Sequence, residues 1–268
     1  MQKKMSENNK LQEMQDGFRT AFINQSFNSN LAYRPEFLSN NYKKGKKVLV
    51  SIEQELADCD EFKISVAFIT KSGITPLLQT LEELEKKNIP GKILTTNYLN
   101  FSEPEAVEKL SNLKNIELKM FRIDSQTSGF HTKGYIFRKE EIYRFIIGSS
   151  NMTLGAVTKN REWNTKIVST EDGEIARDIL TEFEELWNDD HSIEYSLIKE
   201  RYEKEFVREE IARKQRQQAL QDDVVSLERY RLRPNKMQSE FVANLIDMRK
   251  NQKDKALLLS STGADAIM

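Results

Sequence analysis

The hydrophobic residues that open the central part of the chain follow two periods in succession. Val48, Ile52 and Leu56 recur at helical spacing, and a two-residue alternation then runs from Ile64 to Phe68. Spacing of three or four residues is typical of a helix with one buried face, whereas alternation is typical of a half-buried strand. The pattern predicts a helix followed by a strand at the start of an α/β core.

The same succession of helix and strand recurs further along the chain. Four leucines between positions 77 and 84 share one helical face, with Pro76 in the first turn, and the apolar stretch GKILTTNYL follows as a strand. Ser102 and Pro104 open another predicted helix before the strand IELKMFR. This alternation indicates a sheet with helices packed on it.

Three predicted strands then follow without an intervening helix, at residues 131–137, 143–147 and 162–168. A helix in GEIARDILTEFEELWND, with Ile175 and Phe183 among its inward residues, closes the domain. The expected fold is α/β, with a mixed β-sheet flanked by helices on both faces and followed by a helical segment.

Composition divides the chain into four expected segments. Residues 1–30 are polar with scattered apolar positions and are interpreted as a tail or a docking helix. The α/β domain occupies residues 31–190, and a charged helical connector occupies residues 191–228. A separate fragment, residues 229–268, has its own pattern.

Charge and residue usage exclude several classes of site. Lys and Arg (41) nearly balance Asp and Glu (42), so nucleic-acid binding would require a local basic patch. The single cysteine, Cys59, excludes an intramolecular disulfide framework, and two histidines leave little for a zinc or iron site. No signal-peptide core or bilayer-spanning apolar run is present, so a cytoplasmic location without a membrane partner is expected.

The most informative stretch for chemistry is residues 130–164. His131 and Lys133 would point to the same side of a predicted strand, and the turn Gly148–Asn151 (GSSN) follows the next strand. Glu162 opens the third strand. Imidazole can attack phosphorus, Lys133 and Asn151 can hold phosphate oxygens, and a carboxylate can orient the imidazole.

These residues resemble a known family. HTKGYIF, GSSN and EWN together are similar to the phospholipase D superfamily pattern of H-x-K, G-S-x-N and a downstream acid. The spacing most resembles the single-motif nuclease branch, which includes metal-independent restriction endonucleases. The sequence departs from the pattern at Arg138, where many members carry an aspartate. Because Arg138 would face away from His131, this departure weakens the motif match more than the proposed chemistry.

The resemblance implies a two-step phosphodiester hydrolysis without a metal ion or cofactor. His131 would form a phosphohistidine, and a second histidine would protonate the leaving oxygen and then activate water. Lys133 and Asn151, helped by Ser149, would bind phosphate oxygens, and Glu162 would orient His131. Because the chain carries one such histidine, the implied site lies on the two-fold axis of a homodimer.

Several of these residues also have plainer interpretations. Glu162 would then be a solvated strand-end carboxylate, and Ser149 would only shape the turn. His191, next to two aspartates, is interpreted as a surface residue at a helix end. Trp163 and Trp187 are interpreted as aromatic residues of the core or of an interface.

The C-terminal fragment resembles the beginning of a superfamily 2 helicase. RPNKMQ is similar to an adenine-reading element, and LLLSSTG is similar to a strand that enters a phosphate-binding loop. The lysine of such a loop is absent, because the chain continues into residues 264–268 (ADAIM). ATP and Mg²⁺ are therefore expected only in a longer protein. The alternative is an unrelated strand and tail.

The sequence thus favours a phospholipase D-like DNA endonuclease fused to a helicase. The helicase resemblance favours DNA over lipid, and local phosphate contacts are expected from the lysines of YKKGKK and from Lys159 and Arg161. Two alternatives remain at this point. One is a catalytically inactive DNA-binding or dimerisation module, and the other is a phosphodiesterase that acts on lipids or small molecules.

Overall fold

Two units divide the chain between Arg213 and Lys214. The first contains the sheet and the predicted site, and the described part of the second is helical. The structure, a computed structural model, describes residues 2–41, 43, 45–123, 129–225 and 236–253.

The described residues of the first unit form one sheet of eight strands. The strands are β1 (Glu36–Leu38), β2 (Glu61–Val66), β3 (Gly91–Thr96), β4 (Ile116–Phe121), β5 (Lys133–Lys139), β6 (Ile142–Gly148), β7 (Asn164–Thr170) and β8 (Ser192–Glu194). They lie in the order β1-β7-β6-β5-β2-β3-β4-β8. Strand β2 pairs in parallel with β3, and β3 with β4, while the other pairs are antiparallel. The prediction of a mixed sheet is confirmed.

Helices cover both faces of this sheet, as predicted. One core contains Ile52 of α2 (Val48–Ala57), Leu81 of α4 (Leu78–Lys86) and Tyr202 of α7 (Tyr195–Val225), and the opposite core contains Phe183 and Trp187 of α6 (Glu174–Asn188). The helices are α1 (Gln2–Phe18), α2 (Val48–Ala57), α3 (Lys71–Ile74), α4 (Leu78–Lys86), α5 (Pro104–Ser111), α6 (Glu174–Asn188), α7 (Tyr195–Val225) and α8 (Lys236–Lys250).

Two details of the predicted helices are wrong. Pro76 does not lie in the first turn of a continuous helix, because a 3₁₀ turn at Thr75–Leu77 separates α3 from α4. Ile175 is 50% exposed instead of facing inward. The buried residues of α6 include Ala176 and Phe183, and Ile175 lies about 100° around the helix from Ala176.

Two strands begin later than predicted, and the difference places catalytic candidates in loops. Strand β5 starts at Lys133, which pairs with Val66 at the end of β2, so His131 precedes the sheet. Strand β7 starts at Asn164, which pairs with Gly148 at the end of β6. His131 and Glu162 therefore lie just outside the paired region, because the neighbouring strands have already ended there. Strand alternation does not fix the direction of the His131 ring.

The helicase-like segment is described only in part. Helix α8 begins within the RPNKMQ stretch, whose first three residues lie outside the described residues, as does the LLLSSTG stretch. None of the helices in the described ranges is long and apolar enough to cross a membrane.

Candidate active site at one edge of the sheet

The candidate site residues lie at one edge of the sheet. Strands β2 and β3 end at this edge, and β5 begins there because it runs antiparallel to β2. Strand β6 returns to the same edge, and β7 leaves from it. The structure thus brings five predicted site residues to neighbouring loops and strand ends, namely His131, Lys133, Ser149, Asn151 and Glu162.

His131 is an exposed residue that is held by anchored neighbours. Its ring packs edge-to-face against Tyr98, with 4.7 Å between ring centroids. Phe130 on one side of it is buried, and on the other side the hydroxyl of Thr132 lies 2.5 Å from that of Ser65. These contacts fix the short segment that carries His131 while the imidazole remains accessible.

Lys133 brings a positive charge next to His131. Its Nζ donates a hydrogen bond of 2.6 Å to the backbone oxygen of His131. Burial lowers the pKa of Lys133, and the negative charge of Glu162 opposes that shift. Lys133, at the start of β5, and Glu162, in the loop before β7, therefore interact electrostatically.

Ser149 and Glu162 form a local network across the ends of β6 and β7. The Ser149 hydroxyl donates to the Glu162 carboxylate and accepts a hydrogen bond of 3.1 Å from the Trp163 amide. The Ser149 amide in turn donates to the Trp163 carbonyl at 3.1 Å. In the part of the chain that the structure describes, Glu162 hydrogen-bonds to Ser149 and not to His131.

Asn151 is oriented by the backbone of the neighbouring strand. Its Oδ1 accepts a hydrogen bond of 3.1 Å from the amide of Phe68, just beyond the end of β2. The side-chain NH₂ group forms no hydrogen bond with any other described residue. Because this group is a donor, it is suited to binding an anionic oxygen.

A buried pair that sequence reasoning missed supports the GSSN turn. Asn164 Nδ2 donates to the Ser150 hydroxyl at 2.9 Å, and its Oδ1 accepts from the Ser150 amide at 3.3 Å. Tyr135 donates its hydroxyl to the Ser150 carbonyl at 3.1 Å. In the sequence, the available signal was that Asn164 lies two residues after Glu162. In the structure, Asn164 pairs with Gly148 of the motif across the two strands.

Sequence reasoning also missed Tyr98. It belongs to the stretch NYLNF, which follows β3 directly, and aromatic residues at a strand end near other site residues were the available signal. The prediction treated NYL only as the end of a strand, whereas β3 ends at Thr96.

The site opens into a cleft. A cavity of about 560 Å³ is lined by His131 and Lys133 at one end and by α6 along its side. The α6 wall combines apolar residues with the carboxylates of Asp178 and Glu182. The accessible imidazole therefore faces a space that a substrate or a partner chain can enter.

The remaining candidate residues lie elsewhere. Arg138 is at the far end of β5, where its Nε lies 2.9 Å from a Glu61 oxygen. Trp187 is buried in the core, as interpreted, but Trp163 is 72% exposed, so a core position for it is wrong. Trp163 packs edge-to-face against Phe37 at the sheet edge.

His191 is hydrogen-bonded to a neighbouring aspartate. Its Nδ1 lies 2.7 Å from Oδ1 of Asp189, next to the end of α6. Hydrogen bonds from the His191 backbone amide and ring hold the pKa of Asp189 below its usual value. The interpretation of His191 as a residue at a helix end agrees with this position.

The charged surroundings of the site are basic on one side. Lys159 and Arg161 are exposed just before Glu162, and neither forms a salt bridge with a described residue.

Within the described ranges, no three His, Cys, Asp or Glu side chains are grouped as a metal site would require.

Comparison with known proteins gives one family match. The family described as "Cardiolipin synthase, PLD-like domain" matches residues 53–187, about half of the chain, and this range contains all five site residues. No curated protein matches the sequence.

Similar solved structures include two small proteins and one larger one. NucT from Helicobacter pylori is 15% identical, with a TM-score of 0.48, and the alignment covers 60% of this chain and 98% of NucT. Nuc from Salmonella typhimurium, a phospholipase D family member, is 19% identical with a TM-score of 0.46 (60% and 99% covered). Phosphatidylserine synthase from Haemophilus influenzae is 12% identical with a TM-score of 0.45 (70% and 46% covered).

Proposed function

The chain belongs to the family of phospholipase D-like domains of the cardiolipin synthase type, and we propose that it is a metal-independent phosphodiesterase that cleaves DNA. One observation carries the proposal. An accessible imidazole, an ammonium group and an oriented amide donor, from His131, Lys133 and Asn151, lie at one edge of the sheet, where His131 and Lys133 line a cleft. These are the groups that phosphoryl transfer requires.

In the first step, a nitrogen of His131 attacks the phosphorus atom. A P–N bond forms, the P–O bond to the leaving group breaks, and a second histidine gives the leaving oxygen its proton. The Lys133 ammonium and the Asn151 NH₂ group bind the non-bridging oxygens, where negative charge develops. In the second step, the second histidine takes a proton from water, whose oxygen displaces His131 from phosphorus.

Glu162 acts through its neighbours in this mechanism. Its charge favours the protonated form of Lys133, and its hydrogen bond with Ser149 holds the turn that carries Asn151. Ser149 is therefore proposed to position the turn as well as to help bind phosphate.

The second histidine is proposed to come from another copy of the chain. His131 is the single described histidine at this edge, while His191 is paired with Asp189. A two-fold dimer that joins two such edges would place two His131 rings against one phosphate.

DNA is preferred as the substrate for two reasons. Lys159 and Arg161 place exposed positive charge beside Glu162, where a phosphate backbone would pass. The resemblance of residues 229–268 to the start of a helicase favours a protein that acts on DNA. A lipid phosphodiesterase is the second candidate, because the matching family is described by cardiolipin synthase.

Cleavage of DNA in EDTA tests the proposal. We expect the wild-type chain and the control His191→Ala to cleave, and His131→Ala to be inactive. Loss of activity in His191→Ala would contradict the assignment of the second histidine. DNA binding without cleavage by the wild type would favour an inactive module, and hydrolysis of cardiolipin vesicles but not DNA would favour the lipid activity.

A further inference from the structure

A loop beside His131 exposes aromatic and apolar side chains to solvent. This segment, residues 97–101 (NYLNF), is called the aromatic loop and connects β3 to α5. Leu99 is 54% exposed and Phe101 is 41% exposed, while Tyr98 is partly buried. Exposed hydrophobic side chains of this size in a loop that contacts His131 suggest a ligand with an apolar face.

The backbone of the aromatic loop is strained. Leu99 and Asn100 have φ angles of 53° and 47°, in the left-handed region that L-residues with side chains rarely adopt. Two consecutive residues in this region are costly and persist only when surrounding contacts impose them.

Those contacts are present at both ends of the aromatic loop. Arg213 Nη2 donates to the carbonyls of Leu99 and Asn100 at 2.8 and 2.7 Å, which are the two left-handed residues. Its guanidinium also lies 4.4 Å from the centre of the Phe101 ring. At the other end, Asn97 Oδ1 accepts a hydrogen bond of 2.7 Å from the Ile123 amide. The loop is therefore held in one shape before any ligand arrives.

A series of ring contacts, which passes through Phe68, connects the aromatic loop to the His131 imidazole. Phe101 packs edge-to-face on Phe68, Phe68 stacks with Tyr98, and Tyr98 contacts the His131 ring. A phosphodiester has two ester substituents, and a substituent that points towards Tyr98 would reach the aromatic loop. In DNA, that substituent is a nucleoside.

We propose that the aromatic loop stacks an unpaired nucleobase next to the scissile phosphate, with Phe101 and Leu99 as the contact residues and Arg213 as their positioning residue. This inference rests on the proposed nuclease function and adds a preference for single strands. Every base has a π-face that can stack on an aromatic ring, and in a duplex both faces of a base are already stacked. The Arg213 guanidinium lies over the Phe101 ring and is attracted to its π-electrons, which helps to hold the ring in place.

Binding measurements separate this inference from the cleavage chemistry. All variants are made in the His131→Ala background, so that fluorescence anisotropy reports affinity for a labelled single-stranded oligonucleotide without turnover. We expect Phe101→Ala to weaken binding roughly fivefold or more, the lower limit for one base–aromatic stack. Phe101→Trp is expected to retain affinity, and Phe22→Ala, which removes an exposed aromatic from the N-terminal segment, is the matched control.

A strand with scattered abasic sites completes the test. If Phe101 stacks a base, the His131→Ala protein with Phe101 intact binds the abasic strand more weakly than the intact strand. On the abasic strand, Phe101→Ala has little further effect. Equal loss on intact and abasic strands, equal loss on duplex DNA, or no loss beyond that of Phe22→Ala would overturn the inference. Circular dichroism checks that Phe101→Ala is folded, and Phe101→Trp keeps an aromatic surface at this position without creating a cavity. Stacking without cleavage by the wild-type chain would refute the proposed function alone.

Discussion

At Lys133, two opposing influences decide how firmly the proton is held. Burial lowers the pKa of the ammonium, and the charge of Glu162 raises it. The charged form is the one that would bind phosphate oxygens, so Glu162 is proposed to affect the chemistry without touching the substrate. This coupling can be tested by removing the charge alone.

Glu162→Gln is expected to lower the pKa of Lys133 further, because it removes the influence that opposes burial. A lower pKa means that Lys133 loses its proton at a lower pH. The alkaline limb of the kcat/KM profile should therefore move towards neutral pH.

Ser149→Ala is the matched control, since it removes the hydrogen bond to Glu162 and leaves the carboxylate charge in place. Its alkaline limb should stay where the wild type has it. An unchanged limb in Glu162→Gln would mean that the charge of Glu162 does not govern Lys133.

Asn164→Ala is expected to destabilise the fold by about 1–3 kcal/mol, because it leaves the buried amide and hydroxyl of Ser150 without partners. Urea unfolding followed by circular dichroism measures the difference. Asn188→Ala, at an exposed position with one hydrogen bond, should cost less. Equal losses of unfolding free energy in the two variants would show that the buried Asn164–Ser150 pair contributes no more than an exposed hydrogen bond.

The sequence predicts the candidate residues whose role depends on their own chemistry. His131, Lys133, Asn151 and Glu162 follow from residue type and order, and the structure brings them to one edge of the sheet. Residues that act through distant contacts were missed. Arg213 contacts the carbonyl of Leu99 from more than a hundred residues away, and nothing in local spacing indicates such a pair.

Among the elements, the hairpin between β6 and β7 determines the shape of the GSSN turn. At Gly148, the last residue of β6, the Trp163 carbonyl and Asn164 occupy the space that a Cβ would need. A Cβ at Gly148 would lie 2.1 Å from the Trp163 carbonyl oxygen, which is far inside van der Waals contact. The glycine of the motif is thus required for the close approach of two strands.

Gly148→Ala is therefore expected to destabilise the fold by about 1–3 kcal/mol, as overpacking does, and to shift Ser149 away from Glu162. Gly134→Ala is the matched control in the neighbouring strand, since a Cβ there meets no atom within 4 Å. Thermal unfolding of both variants gives the comparison. A similar loss of stability in both would contradict the steric explanation.

Periodicity predicted the elements better than their ends. The helix at Val48–Ala57 and the succession of helices and strands along the chain follow from hydrophobic spacing. The start of β5 does not, because it depends on where the neighbouring strand β2 ends, at Val66. Strand ends are set by partners, and partners are not visible in a single stretch of sequence.

For the whole molecule, the proposal that two copies share one site makes a sharp prediction. A heterodimer of wild-type and His131→Ala chains, purified through two different tags, would contain one His131 in its shared site. It should be as inactive as the His131→Ala homodimer, whereas independent sites would give about half of wild-type activity. Sedimentation of the wild type should show a dimer at micromolar concentration, and a monomer that cleaves DNA would contradict the shared site.

The fold class could be predicted because alternating helices and strands admit few arrangements. The placement of α7 could not. Its sparse apolar positions indicated a connector, yet Tyr195 and Tyr202 are among the most deeply buried side chains, and Tyr202 donates a hydrogen bond of 2.7 Å to the Ser102 carbonyl. Two tyrosines seven residues apart in a charged helix are a weak sequence signal, and only the structure shows that both are buried in the core.

The reach of α7 has a practical consequence for dissecting the protein. A truncated chain that stopped at residue 190 would lack β8, which borders β4, and would uncover the pockets that Tyr195 and Tyr202 fill. It would also lack the Arg213 guanidinium that holds the left-handed backbone beside His131. Any excised fragment meant to report on catalysis should therefore extend beyond residue 213.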